Sequence, residues 1–169
     1  MIPTSARVPQ SCMGGAAQPS MRSIGNIVFG LALVAGPASA ADPAPGAIVS
    51  YRVVGDGIPQ PLASGDPARG KALVAARDPA NCVLCHEVPD PNMPFAGNVG
   101  PPLAGVAARL SVPQLRLRVV DNLRVNPQTI MPSYYRLVDL NSVAAAYQNK
   151  TILTAPQVED VVAYLATLR

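Results

Sequence analysis

The stretch "NCVLCHE", residues 81–87, places two cysteines and the one histidine of the chain within five consecutive positions. Cys82, Cys85 and His86 have the spacing of a covalent haem c attachment site. Two thiols three residues apart can each add to one vinyl group of a porphyrin, and the adjacent imidazole then lies under the iron as proximal ligand.

Three other uses of such a motif fit less well. A thioredoxin-like dithiol calls for a βαβ context that the surrounding pattern lacks. A structural zinc ion needs four ligands, and beyond a removable leader the chain has no further Cys or His. A disulfide across two intervening residues closes too small a loop to stabilise much.

The leader is read from "MRSIGNIVFGLALVAGPASA", residues 21–40. Arg22 forms a short positive region, Ile24 to Ala35 an apolar core, and Ala38-Ser39-Ala40 an A-x-A cleavage signal after the breaker Pro37. The apolar run is short for a membrane span, so export with cleavage after Ala40 is expected, with a retained anchor as the alternative. Residues 1–20, including Cys12, read as an upstream extension or a misassigned start. The processed chain carries 11 basic and 10 acidic side chains, a net charge of +1, which gives no support for nucleic acid or a polyanionic membrane as partner.

With 169 residues, 49% apolar and 14% charged, the chain has material for one modest domain. Residues 41–65 are rich in Pro, Gly and Ala and read as an extended N-terminal arm, in which "AIVSYRVV" has the composition of a short strand. The compact domain is expected over 66–169. Asp66 as cap and Pro67 at the first helical position open a helix over about 67–77. Gly70 inside it costs about 1 kcal/mol relative to Ala and so marks close approach of another element. Residues 88–105 form a loop dense in Pro, Gly and Asn.

"SVPQ" from Ser111 and "TAPQ" from Thr154 are capping boxes that open two further helices. In the first, Leu115, Val119 and Leu123 share a face with the polar Asn122. In the second, Val158, Val161, Val162, Leu165 and Leu168 give a clean apolar stripe. A short helix around 139–148 is a further candidate. This all-α pattern of a few short helices and long loops buries little surface by itself, so a large apolar cofactor at its centre is expected on packing grounds too.

The sixth iron ligand is approached by elimination. The processed chain offers Met93, Met131 and two lysines. Met93 sits seven residues after His86, in the loop that leaves the proximal side, where reaching the opposite face is awkward. Met131 lies in "NPQTIMPSYY", braced by Pro127 and Pro132, and is favoured, with Met93 or an open position as the alternatives. The proximal His also needs an acceptor for its other ring nitrogen, and a carbonyl of "GNVGPPLAGVAAR" is available for it.

These residues resemble the class I cytochromes c. Gly100-Pro101-Pro102-Leu103-Ala104-Gly105 is similar to their G-P-x-L-x-G loop, which implies the histidine-accepting carbonyl at Pro101 and a packing leucine at Leu103. The same resemblance implies a haem-propionate arginine at Arg109, with a solvated surface arginine as the alternative. It also implies a contact between first and last helices at Gly70 and Tyr164. Within this class, "GNVGPPLAGVAARL", "QLRLRVVDNLRVNPQTIMPSYYRL" and "ILTAPQVEDVVAYLATL" resemble the SoxX family, small cytochrome subunits of the SoxAX complex of bacterial sulfur oxidation. Asn149 stands where that family is expected to carry Gly, and Asn also tolerates left-handed backbone.

The resemblance implies a periplasmic subunit of an L-cysteine S-thiosulfotransferase, with SoxA as heterodimer partner, the SoxYZ carrier as substrate and a further cytochrome as electron acceptor. No catalytic residue is expected on this chain, whose two thiols are consumed by haem. A free-standing periplasmic electron shuttle is the competing reading. A gas-binding or peroxidase-type haem is a third, for which distal acid–base residues are missing.

Overall fold

A computed structural model describes residues 47–93 and 95–169; the leader, the upstream extension and residues 41–46 lie outside the described residues. Four α-helices follow in chain order: α1 (Pro67–Ala75), α2 (Val106–Arg109), α3 (Val112–Asp121) and α4 (Ala155–Leu165), with 3₁₀ turns at Cys82–Leu84, Asn122–Arg124 and Ala145–Tyr147. The described residues contain no strand, only one isolated bridge between Val54 and Gly57. None of their helices is long and apolar enough to cross a membrane.

Each long helix starts where its capping chemistry places it. The Asp66 carboxylate accepts the Arg69 N–H at 2.8 Å, satisfying one of the free donors of the first turn of α1, with Pro67 behind it. Arg69 N–H also depresses the Asp66 carboxyl pKa below its ordinary value. At α3 the Ser111 N–H donates to Gln114 Oε1 at 2.8 Å, and at α4 the Thr154 N–H donates to Gln157 Oε1 at 2.9 Å.

α4 is buried on more than one face because it lies between α1 and α3. Val158, Val161, Val162 and Leu165 enter the core, joined there by Val74 of α1 and by Leu115, Val119 and Val120 of α3. The crossing with α1 is made possible at Gly70, where a Cβ would collide with the Asp160 carbonyl and with Tyr164 Cβ. Gly70→Ala is therefore expected to destabilise the fold by about 1–3 kcal/mol, the usual cost of overpacking, despite the better helix propensity of Ala. Equilibrium denaturation measures it. An unchanged midpoint would show that the two helices separate freely.

Residues 47–65, the described part of the arm expected over 41–65 outside the compact domain, have the extended backbone but pack onto the core. Ile58 is 0% exposed and Leu62 is buried. The strap's backbone groups also find partners: Ile58 N–H donates to the Pro113 carbonyl at 3.0 Å, Arg116 Nη1 to the Ile58 carbonyl at 2.7 Å, and Leu62 N–H to Glu159 Oε1 at 3.0 Å. Val49 N–H reaches the Tyr135 hydroxyl at 2.7 Å. These contacts join residues 55 to 97 apart in sequence, beyond the reach of local pattern. The strand suggested by "AIVSYRVV" does not form.

The candidate helix around 139–148 is reduced to the turn Ala145–Tyr147. Asp139 and Ser142 both have positive φ (53° and 54°), which interrupts a right-handed helix. Asn149 takes φ 58°, the left-handed geometry expected of it.

Candidate functional site

The motif segment Cys82–His86 folds as a tight turn in which both Cys85 N–H and His86 N–H donate to the Cys82 carbonyl, at 3.2 and 3.0 Å. The turn puts Cys82, Cys85 and His86 on the wall of one cleft. Cys82 and Cys85 are not joined to each other by a disulfide. Burial pushes the pKa of an unmodified Cys82 thiol up to about 11.

The loop 100–103 runs alongside 85–87 and is pinned to it twice. Gly100 N–H donates to the Cys85 carbonyl at 2.7 Å and Leu103 N–H to the Glu87 carbonyl at 2.9 Å. Between these bonds the Pro101 carbonyl lies 2.7 Å from His86 Nδ1. A carbonyl only accepts, so Nδ1 carries the proton and Nε2 keeps its lone pair for a metal. Gly100 is required by this closeness, since a Cβ there would strike the imidazole ring. Leu103 is buried in the core beneath the loop.

Arg109 donates from Nη1 to the Ala104 carbonyl at 2.7 Å and from Nη2 to the Pro102 carbonyl at 2.8 Å. It thus braces the loop that carries Pro101, a use that the reading as a propionate ligand or a surface arginine did not anticipate.

Two hollows, of about 800 and about 380 Å³, open from this wall and share Cys82, His86, Pro101, Asn122, Met131 and Tyr134. Met131 therefore lines both, whereas Met93 lines neither and packs against the core edge. The smaller hollow is walled by Val74, Leu103, Val106, Leu115, Leu153, Val161 and Leu165. Its apolar lining suits the ring face of a porphyrin. A thiol pair at the mouth, an imidazole with its outer nitrogen already bonded and a thioether on the shared wall together fit a covalently held haem. Among the described residues no group of three or more His, Cys, Asp or Glu offers an alternative metal site.

Sequence reasoning did not reach Tyr134, Asn122 or Thr129. Tyr134 is buried and donates its hydroxyl to the Ala80 carbonyl at 2.7 Å, behind the motif, with its pKa raised chiefly by burial. Asn122 did leave a signal, as the polar residue on the apolar face of the helix expected after Ser111, and the structure places it just past the end of α3.

The cytochrome c family model matches residues 67–169, more than half of the chain. The crystal structure of SoxXA from P. pantotrophus contains a chain with 31% sequence identity and a TM-score of 0.64; the match covers 70% of this chain and 93% of that one. No curated protein sequence matches the chain. With the all-α fold, the pinned histidine and the thiol pair in view, these comparisons identify the chain as a member of the cytochrome c family, of the SoxX type.

Proposed function

We propose that this chain is the haem c electron-transfer subunit of a periplasmic SoxAX-type L-cysteine S-thiosulfotransferase, processed after Ala40. Cys82 and Cys85 would tether one haem, and His86 Nε2 and the Met131 sulfur would be the ligands of its iron. The observation that carries this reading is the pair of hollows sharing His86 and Met131, with His86 Nδ1 committed to Pro101 at 2.7 Å. A haem held this way supplies reversible one-electron chemistry, at a potential raised by the thioether.

The protein's own part is to hold and to insulate. Pro101 fixes the imidazole plane and its tautomer, Arg109 braces the Pro101 loop, and the Leu103 side of the cavity keeps water from one ring face. The chain offers no group for sulfur chemistry: the processed sequence has no third cysteine and no second histidine. Joining thiosulfate to a cysteine of a SoxYZ-type carrier forms one sulfur–sulfur bond and releases one proton and two electrons. That bond-making belongs to a SoxA-type partner, and a haem held on this chain would take up the electrons singly for a further cytochrome.

The similarity to a chain of the SoxXA crystal structure supports the subunit over the free shuttle. The larger hollow is lined by Leu84, Val99, Ile130, Leu140 and Tyr147, and its charged lining residues include Arg136 and Lys150 but no carboxylate.

Two experiments test the proposal. Gentle purification from periplasm is expected to bring down a larger haem protein with this chain, and thiosulfate turnover is expected of the pair but not of this chain alone. Recovery as a monomer under every gentle condition, with electron transfer intact, would favour the shuttle.

A further inference from the structure

The last turn of α3 holds the Met131 segment from both sides. Before Met131, Asn122 Nδ2 donates to Thr129 Oγ1 at 2.8 Å, and the Met131 N–H donates to the same oxygen at 3.1 Å. After Met131, Ser133 Oγ donates to Asp121 Oδ1 at 2.7 Å. Asp121 is 2% exposed, and its charge is balanced by Arg136 at 3.5 Å and Arg124 at 3.4 Å. Two backbone bonds complete the attachment, Tyr134 N–H to the Val119 carbonyl at 3.2 Å and Tyr135 N–H to the Val120 carbonyl at 3.1 Å.

The segment is otherwise irregular, flanked by Pro127 and Pro132, and Ile130 beside Met131 is exposed. Its own turn, with Thr129 N–H donating to the Asn126 carbonyl at 3.1 Å and Gln128 N–H to Asn126 Oδ1 at 3.0 Å, ends at Thr129 and does not by itself fix where the sulfur goes. From this we infer that Asp121 and Asn122 are positioning residues, a clasp that holds the Met131 thioether at the iron and resists its replacement by outside ligands. The inference rests on Met131 being the sixth ligand. A clasp acts on the ligand equilibrium as well as on folding. Each bond that holds the segment in place favours the ligated over the detached sulfur, so its removal eases entry of a competitor.

The test is titration of the oxidised holoprotein with imidazole, which competes with the thioether. Asn122→Leu and Thr129→Val are each expected to raise imidazole affinity about fivefold to tenfold, the effect of one lost hydrogen bond. Thr129→Ser, which keeps the hydroxyl, is expected to stay within about twofold of the wild type. Unchanged imidazole affinity in both Asn122→Leu and Thr129→Val, with only the melting temperature lowered, would overturn the clasp. If Asn122→Leu does not fold, the Thr129→Val and Thr129→Ser pair decides alone. Met131→Ala separates the two ideas: if it leaves imidazole affinity and spectrum unchanged, the ligand assignment fails, whereas a wild-type thioether signal lost in Met131→Ala with inert clasp variants fails the clasp only.

Discussion

Met131→Ala is expected to abolish the weak sulfur-to-iron charge-transfer band at the red end of the oxidised spectrum and to lower the reduction potential. A thioether stabilises reduced iron, so replacing it by water or an open position favours the oxidised form. A drop beyond about 59 mV, a tenfold change in the one-electron equilibrium, is the scale to look for. The geometric basis is that Met131 lines both hollows together with Cys82 and His86, while Met93 lines neither. An unchanged band in Met131→Ala that disappears in Met93→Ala would reverse the assignment.

The second large effect is on stability. Arg116 and Glu159, each about 5% exposed at the side chain, make a bidentate pair with Nε–Oε1 at 2.6 Å and Nη2–Oε2 at 2.9 Å. Each partner also holds the strap, Arg116 through the Ile58 carbonyl and Glu159 through the Leu62 N–H. Glu159→Ala leaves a buried guanidinium without its counter-charge and frees residues 58–62, which is expected to cost about 3–5 kcal/mol. Lys71→Ala, by contrast, breaks a 2.6 Å pair with Asp90 in which the lysine side chain is 51% exposed, so water can take the place of the ammonium, and a smaller loss is expected. Denaturant titration of the two variants side by side measures the difference. Equal losses would mean that the Arg116–Glu159 pair does not fasten the strap.

The parts of the fold legible in the sequence are those governed by local chemistry. Asp66, Ser111 and Thr154 announce their helices because capping acts within three residues, and the apolar stripe of α4 follows helical periodicity. Gly70 was legible for a related reason, since a glycine inside a helix is unfavourable without a tertiary purpose. The roles of Pro101 and Leu103 came instead from the resemblance of their loop to that of the class I cytochromes c, and the Pro101 carbonyl does lie 2.7 Å from His86 Nδ1.

What escaped is what depends on distant partners. The strap looked like an arm because Pro, Gly and Ala dominate it. Ile58 and Leu62 enter the core through Arg116 and Glu159, whose pairing across 43 residues no local pattern reveals. Arg109 was weighed for a propionate or for solvent, not for the carbonyls of Pro102 and Ala104. Asn122 was visible only as a flaw in the apolar face of the helix expected after Ser111. Its reason became clear once Thr129 was seen beside it. The short α2 went unforeseen, since four residues after Gly105, which has φ 64°, carry too little periodicity to register.

The measurement that tests the central claim most directly is the mass of the purified, processed chain combined with thiol titration. One haem added to the polypeptide, with neither Cys82 nor Cys85 titratable, is the result predicted here. A bare polypeptide mass with two reactive thiols would contradict it.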